Sequence, residues 1–284
     1  MFNKKITWII CTVISIFFAF SAYKLFPKAF PILNISLDMS RTDALEKAST
    51  LSKKFNLGPE QSFQVATFGV DHNAQNYIEL DEGGSSEFIK ILDNHNYEAY
   101  TWDVRQYKPG EVNELWITFT PSGEIYGFNE ILSEDLFLES LTANKAMQLA
   151  ISESKEHWNI DLTNYEIVEK SQDVKPSERI DHTFVYKRSD ISIGEGGEYR
   201  LKLIVSGNKL SHVSHYIKIP ETFNRKYEEM RSSNNTIASL ANYGLLIFYI
   251  LGGIIVGLFL LNRERWLLWK TAVYWALFIS ILSI

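Results

Sequence analysis

Three stretches of this chain are almost purely apolar: residues 6–23, 237–261 and 266–284, together 62 of 284. A helix rises about 1.5 Å per residue, so roughly 20 apolar residues cross a hydrocarbon core about 30 Å thick. Residues 237–261 meet that requirement with no charge at all, and Gly253 and Gly257 form a small-xxx-small pair suited to close helix contact. Residues 266–284 hold one charge, Lys270, near the start, with Trp266, Trp269, Tyr274 and Trp275 as aromatic anchors. The first stretch follows Lys4 and Lys5. It is longer than the roughly 7–15 residues of a signal core and reads as an uncleaved signal anchor; Ala19-Phe20-Ser21 leaves cleavage as the alternative. The mean hydropathy of −0.09 is thus an average of membrane segments and a polar domain. A cytosolic globule, a disordered chain and a disulfide scaffold are all excluded, the last because Cys11 is the only cysteine. Bulky Ile10 before it argues against lipidation.

Lys4 and Lys5 at the start and Arg263 and Arg265 between the last two stretches place both short segments in the cytoplasm. The intervening loop of about 205 residues is long enough to escape that rule and is expected outside. The localisation expected is therefore a bacterial inner (plasma) membrane, multi-pass, with a large extracytoplasmic or periplasmic domain.

Seven of the 28 basic residues and one of the 34 acidic ones lie in or beside the apolar stretches. The exported part keeps 21 and 33, a net charge of −12, which excludes nucleic acid as a partner. An internal repeat organises it. Ala44, Leu45 and Ala48 recur as Ala146, Met147 and Ala150 at an offset of 102, each set on an amphipathic helix, 40–55 and 142–158. Ser40 with Asp43 makes a cap for the first. Strands are expected at 63–70, 97–107, 115–120 and 125–128, then at 165–170, 182–187, 199–205 and 210–217. Ser122-Gly123 and Ser206-Gly207 mark the equivalent hairpin turns. The first copy carries an insert, 73–96, with a loop at 81–84 and a short helix at 87–92. The fold class expected is α+β: two repeated helix-plus-antiparallel-sheet units between transmembrane helices. The domains are a membrane anchor (1–30), unit 1 (31–135), unit 2 (136–219), a helical stalk (220–236) and two transmembrane helices (237–284).

Chemistry-bearing motifs are missing. The histidines are His72, His95, His157, His182, His212 and His215, and the last two, three apart on one strand, point to opposite faces. No HExxH, CxxC or GxSxG occurs, and Gly194-Glu195-Gly196-Gly197 lacks the Lys-Ser/Thr of a phosphate loop. The membrane stretches hold no Asp, Glu or His. No catalytic, cofactor-binding or metal-ligating residue is singled out, and no cofactor is expected.

The Ala-faced helix followed by a sheet with a Ser-Gly hairpin resembles the PepSY-like exported fold. That resemblance implies an inhibitory or interaction module with a polypeptide partner. Residues 116–128 (WITFTPSGEIYGF), 181–187 (DHTFVYK), 199–209 and 219–237 (IPETFNRKYEEMRSSNNTI) are similar to the N-terminal region of some bacterial CPBP (CAAX-type) intramembrane proteases. That family's Glu-Glu-x-x-x-Arg motif lies in a membrane helix. Here Glu228-Glu229 sits in the stalk, the arginine position is Ser233, Arg231 comes too early, and no histidine follows His215. No catalytic residue carries over. The leading expectation is a membrane-anchored, PepSY-like domain, itself non-catalytic, that binds or regulates a polypeptide or a protease bundle. One alternative is the N-terminal part of a CPBP protease whose catalytic helices lie beyond Ile284, with 284 residues marking where a larger protein was cut. The other is a structural envelope protein.

Overall fold

The computed structural model describes residues 5–81, 83–94, 97–266 and 268–282. In chain order these form α1 (Lys5–Ala29), α2 (Arg41–Phe55), β1 (Phe63–Val70), α3 (His72–Asp81), α4 (Ser85–Asp93), β2 (Tyr100–Tyr107), β3 (Glu114–Phe119) and β4 (Ile125–Ile131). Then follow α5 (Ala143–Trp158), β5 (Tyr165–Val174), β6 (Ile180–Arg188), β7 (Glu198–Ser206) and β8 (Lys209–Lys218). α6 (Glu221–Phe248) continues through a π-helical stretch, Tyr249–Ile255, into α7 (Val256–Arg263), and α8 (Trp269–Leu282) ends the described chain. Contacts divide it into two units, Met1–Phe223 and Asn224–Ile284.

Local chemistry sets the helix ends. Ser40 Oγ accepts from the Asp43 N–H at 3.2 Å while the Asp43 carboxylate accepts from the Ser40 N–H at 3.0 Å, a reciprocal cap for α2. Hydrogen bonding to the carboxylate from the Ser40 side chain, and then from the Ser40 backbone N–H, holds the Asp43 carboxyl below its ordinary pKa. Both repeat helices stop on a left-handed asparagine, Asn56 and Asn159, which tolerates positive φ better than most residues.

All eight strands join one antiparallel sheet in the order β1-β2-β3-β4-β8-β7-β6-β5. The α+β class and the two repeated helix-plus-antiparallel-sheet units are as expected, and their four-stranded halves meet edge to edge at β4 and β8, where pairing satisfies backbone groups that would otherwise stay open. The seam is registered over two residue pairs, Phe128 with Val213 and Asn129 with His212, whereas β7 and β8 run together over nine.

Strand alternation gives the sheet a helix-covered face and an open face. On β2, Tyr100, Trp102, Val104 and Gln106 point inward. Ala44, Ala48 and Leu51 of α2, and Ala146, Ala150 and Trp158 of α5, pack onto Val104, Ile117, Phe128, Leu201 and Leu203 as one core. The small alanines let both helices approach closely, and Trp158 lies flat on Phe128 with ring centres 4.0 Å apart.

The insert in the first half is more helical than expected. Asp71 accepts from the N–H groups of Asn73 and Ala74, which starts α3 in a stretch to which the sequence assigned no element. Ala74, Tyr77, Ile78, Phe88 and Leu92 are buried. The strand expected at 97–107 begins only at Tyr100, since the Tyr97 hydroxyl turns to donate to Asp71 Oδ2 at 2.8 Å. Gly197 takes part in a tight Ile193–Gly197 bridge, and a Cβ there would come within 2.6 Å of the Tyr77 ring. The Gly194 run is therefore a close-packing device at this point.

Among the described residues two helical stretches, Lys5–Pro27 and Glu221–Arg263, are long and apolar enough to cross a membrane, and a shorter apolar helix spans Trp269–Leu282. Lys4, Glu82, His95, residue 267 and residues 283–284 lie outside the described part.

Candidate functional site

Two places on the domain have the geometry to do something beyond holding the fold: the seam and the outer edge at β1. At the seam, β8 offers a histidine to each face. On the open face, His212 Nδ1 donates to Asn129 Oδ1 of β4 at 2.9 Å, and Ser214 Oγ donates to His212 Nε2 at 2.7 Å. On the helix face, the His215 ring stacks on Tyr126 of β4, centres 4.6 Å apart, while the Tyr199 hydroxyl donates to His215 Nδ1 at 2.8 Å. The opposed placement expected from the three-residue spacing is what the strand provides.

Burial governs the electrostatics. Desolvation, then the charge of Lys202, lowers the His212 pKa to about 4; desolvation, then Arg188, lowers that of His215 to about 4. Burial raises the Tyr97, Tyr126 and Tyr199 hydroxyls well above their ordinary range, with Asp71 adding to the effect on Tyr97. At neutral pH this cluster is uncharged. Removing the Tyr199 hydroxyl with Tyr199→Phe leaves His215 Nδ1 unpartnered, with an expected loss of about 1–2 kcal/mol in a urea titration.

Ser214, His212 and Asn129 follow the order of nucleophile, base and orienting group. An imidazole titrating near 4 is nevertheless a weak base at neutral pH. The adjoining cavity, about 270 Å³, reaches Ser214 but neither His212 nor Asn129. The arrangement works as a cross-strand staple. A second cleft, about 590 Å³, lies on the helix side and is lined by Trp158, Tyr165, Arg188 and Tyr199. Tyr126 and His215 border both spaces.

The two outer edges of the sheet differ sharply. β5 carries Glu166, Glu169, Lys170 and Asp173, with an irregularity in its register between Ile167 and Glu169. Charges and bulges of this kind keep an edge from pairing with other chains. β1 reads FQVATFGV: no charge, no proline and an unbroken register with β2 over all eight residues. Phe63, Val65 and Thr67 are exposed on it. Beside it, a groove of about 480 Å³ runs between Ser49, Ser52 and Lys53 of α2 and Gln64 of β1.

Among the other described histidines, His182 Nε2 is 2.9 Å from the Leu141 carbonyl oxygen, and His157 lies against Phe55 and shares the second cleft with His215. Among the described residues no group of three or more His, Cys, Asp or Glu is placed to hold a metal ion. Sequence reasoning missed the tyrosines around His215; their hint was the spread of Tyr97, Tyr126, Tyr165 and Tyr199 over both repeat units.

No family model and no curated protein matches the chain. Among solved structures, the C-terminal domain of Bacillus megaterium YpeB is similar, with a TM-score of 0.36 and 14% identity. The likeness covers 62% of this chain and 63% of that one, less than two thirds of either.

Proposed function

We propose that this chain is a membrane-tethered, non-catalytic binding module whose exported α+β domain takes an extended segment of a polypeptide partner as an added strand on β1. The observation that carries this reading is the contrast between the two sheet edges: one guarded by charge, the other uncharged and flat in register. An added strand gains main-chain hydrogen bonds from the open edge, and its alternate side chains reach Phe63, Val65 and the groove beside α2. α1 and the α6–α7 helix supply the tether. Lys4, Lys5, Arg263 and Arg265 favour a cytoplasmic location for the short segments, hence an extracytoplasmic domain in a bacterial inner membrane. A PepSY-like inhibitory or regulatory role fits the same reading.

The test is a random-peptide selection against the full chain in nanodiscs. Binders with alternating apolar residues are expected. Their affinity should fall more than about tenfold with Val65→Lys or Thr67→Lys, roughly 1.4 kcal/mol, and hold with Val168→Lys on β5. Binders indifferent to both β1 changes would sink the proposal. The alternative, the front part of a CPBP-type protease, rests on the sequence resemblance and is tested by reading the gene past Ile284 for Glu-Glu-x-x-x-Arg.

A further inference from the structure

We infer that the cavity beside the β4–β8 seam receives a primary ammonium group, carried by a lysine side chain of a partner or by a free amine. This goes beyond strand addition at β1 and does not depend on it.

The cavity exists because the seam closes only in part. Its register stops at Phe128 with Val213, so Gly127 and Tyr126 of β4 run on beside Ser214 and His215 of β8 without pairing to them. All four line the space. Asp103 of β2 and Thr118 of β3 reach it from the open face, and Asp71 and Glu98 from the two ends of the insert. At about 270 Å³ it falls just below the roughly 300–1,000 Å³ of sites for whole small molecules, a size for one side chain or a small amine.

The charges around it are of one sign. Asp71, Glu98 and Asp103 line the cavity and, among the described residues, no lysine or arginine does. Arg188, in the second cleft, is paired with Asp190. A cleft lined by one sign of charge focuses its field and draws in the opposite sign. Asp71 is fixed at the wall by the Tyr97 hydroxyl and two backbone N–H groups. Asp103 is half-buried, and its hydrogen bonds come from two hydroxyls, Thr118 at 2.8 Å and Thr101 at 3.5 Å, rather than from a cation. Burial raises its pKa against the opposing effect of those hydroxyls, as befits a carboxylate without a counter-charge. A second observation is independent of these charges. The Tyr126 hydroxyl is buried and meets no hydrogen-bond partner at good geometry, its neighbour Tyr199 being turned to His215. Tyr97 and Glu98 of the cavity wall both act on that hydroxyl, which places it at the cavity. A buried polar group left unpaired is costly until something satisfies it. An ammonium has three donors and no acceptor, and the wall offers the complement, carboxylate oxygens and a phenolic oxygen. An anion would meet three carboxylates. For a metal ion, no group of three or more ligands converges among the described residues.

The test uses the full chain in nanodiscs of zwitterionic lipid, with empty nanodiscs as the blank, and ligand-observed NMR. Two probes separate the sources: Nα-acetyl-lysine methylamide stands for a polypeptide and 1,5-diaminopentane for a free amine. Saturable binding of at least one is expected at pH 7.5, and the tighter identifies the source. The lysine probe acetylated at Nε has lost its charge and should not bind. Asp103→Asn should weaken binding at least about tenfold, and Tyr126→Phe about threefold or more. Glu166→Gln on β5, exposed and far along the strand order from the cavity, should leave it unchanged. Tyr126→Phe keeps the ring that stacks on His215 and removes an unpartnered hydroxyl, so a merely structural role predicts no loss of binding. Binding of neither amine, equal binding of the acetylated probe, or affinity untouched by Asp103→Asn overturns the inference. Should Asp103→Asn fail to fold, Tyr126→Phe takes its place, and affinity untouched by that change overturns the inference equally.

Discussion

Replacing Gly127 with alanine is expected to destabilise the domain by about 3 kcal/mol. A Cβ at this position would drive into the Val213 carbonyl oxygen of the neighbouring strand and crowd its carbonyl carbon. The obstacle is backbone, so no side-chain rotation relieves it. The strand pair must separate, and the pair in question is the seam, where few other pairings compensate. A urea titration of the full chain in detergent, followed by tryptophan fluorescence, should show the midpoint fall sharply. Gly69, on β1, has nothing within 4 Å of a Cβ and extended backbone, so Gly69→Ala is the control. Equal behaviour of the two variants would mean that the seam is not packed as described.

The second large effect is expected at Arg179. Its side chain is 1% exposed, yet it carries a charge. It donates to both oxygens of Asp181, and its Nη1 donates to the carbonyl oxygens of Ser133 and Leu136 at 2.8 and 2.9 Å. One guanidinium thus ties β6 to the segment that joins the two halves. Arg179→Ala leaves a largely buried carboxylate and two carbonyls unpartnered, an expected loss of about 3–5 kcal/mol. Arg179→Met with Asp181→Leu removes the orphaned charge as well, so the double change should cost less than Arg179→Ala alone. A double variant as unstable as Arg179→Ala would show that the carbonyl contacts, rather than the stranded charge, set the penalty.

Local structure was legible from residues close in sequence. Ser40 and Asp43 announced the cap of α2, and the alanine spacing located the buried stripes of α2 and α5. Gly123 and Gly207 announced tight hairpins, and both adopt the positive φ such turns need. Asp71 carried the signal for α3, but the insert at 73–80 was assigned no element because its few apolar residues set no clear period. What escaped was everything set by pairing distant segments. β4 and β8 each look like ordinary final strands, and nothing in either sequence says that they pair with each other. The candidate edge shares that fate: the lack of charge in FQVATFGV is readable, but that β1 lies outermost is not. Arg179 reads as one more solvated charge until the fold encloses it.

The strand order also fixes a timetable. Within each half, neighbours in the sheet are neighbours in sequence, so each half can form as a local meander. The seam joins Phe128 to Val213, about 85 residues apart. A chain that emerges from its N-terminus completes the first half early and waits for β8, with the edge of β4 unpaired throughout that interval. Edge closure is the last step of assembly, and the hairpin turned at Gly207 delivers it. Slowing that hairpin prolongs the stage at which the growing domain is most prone to pair with the wrong strand.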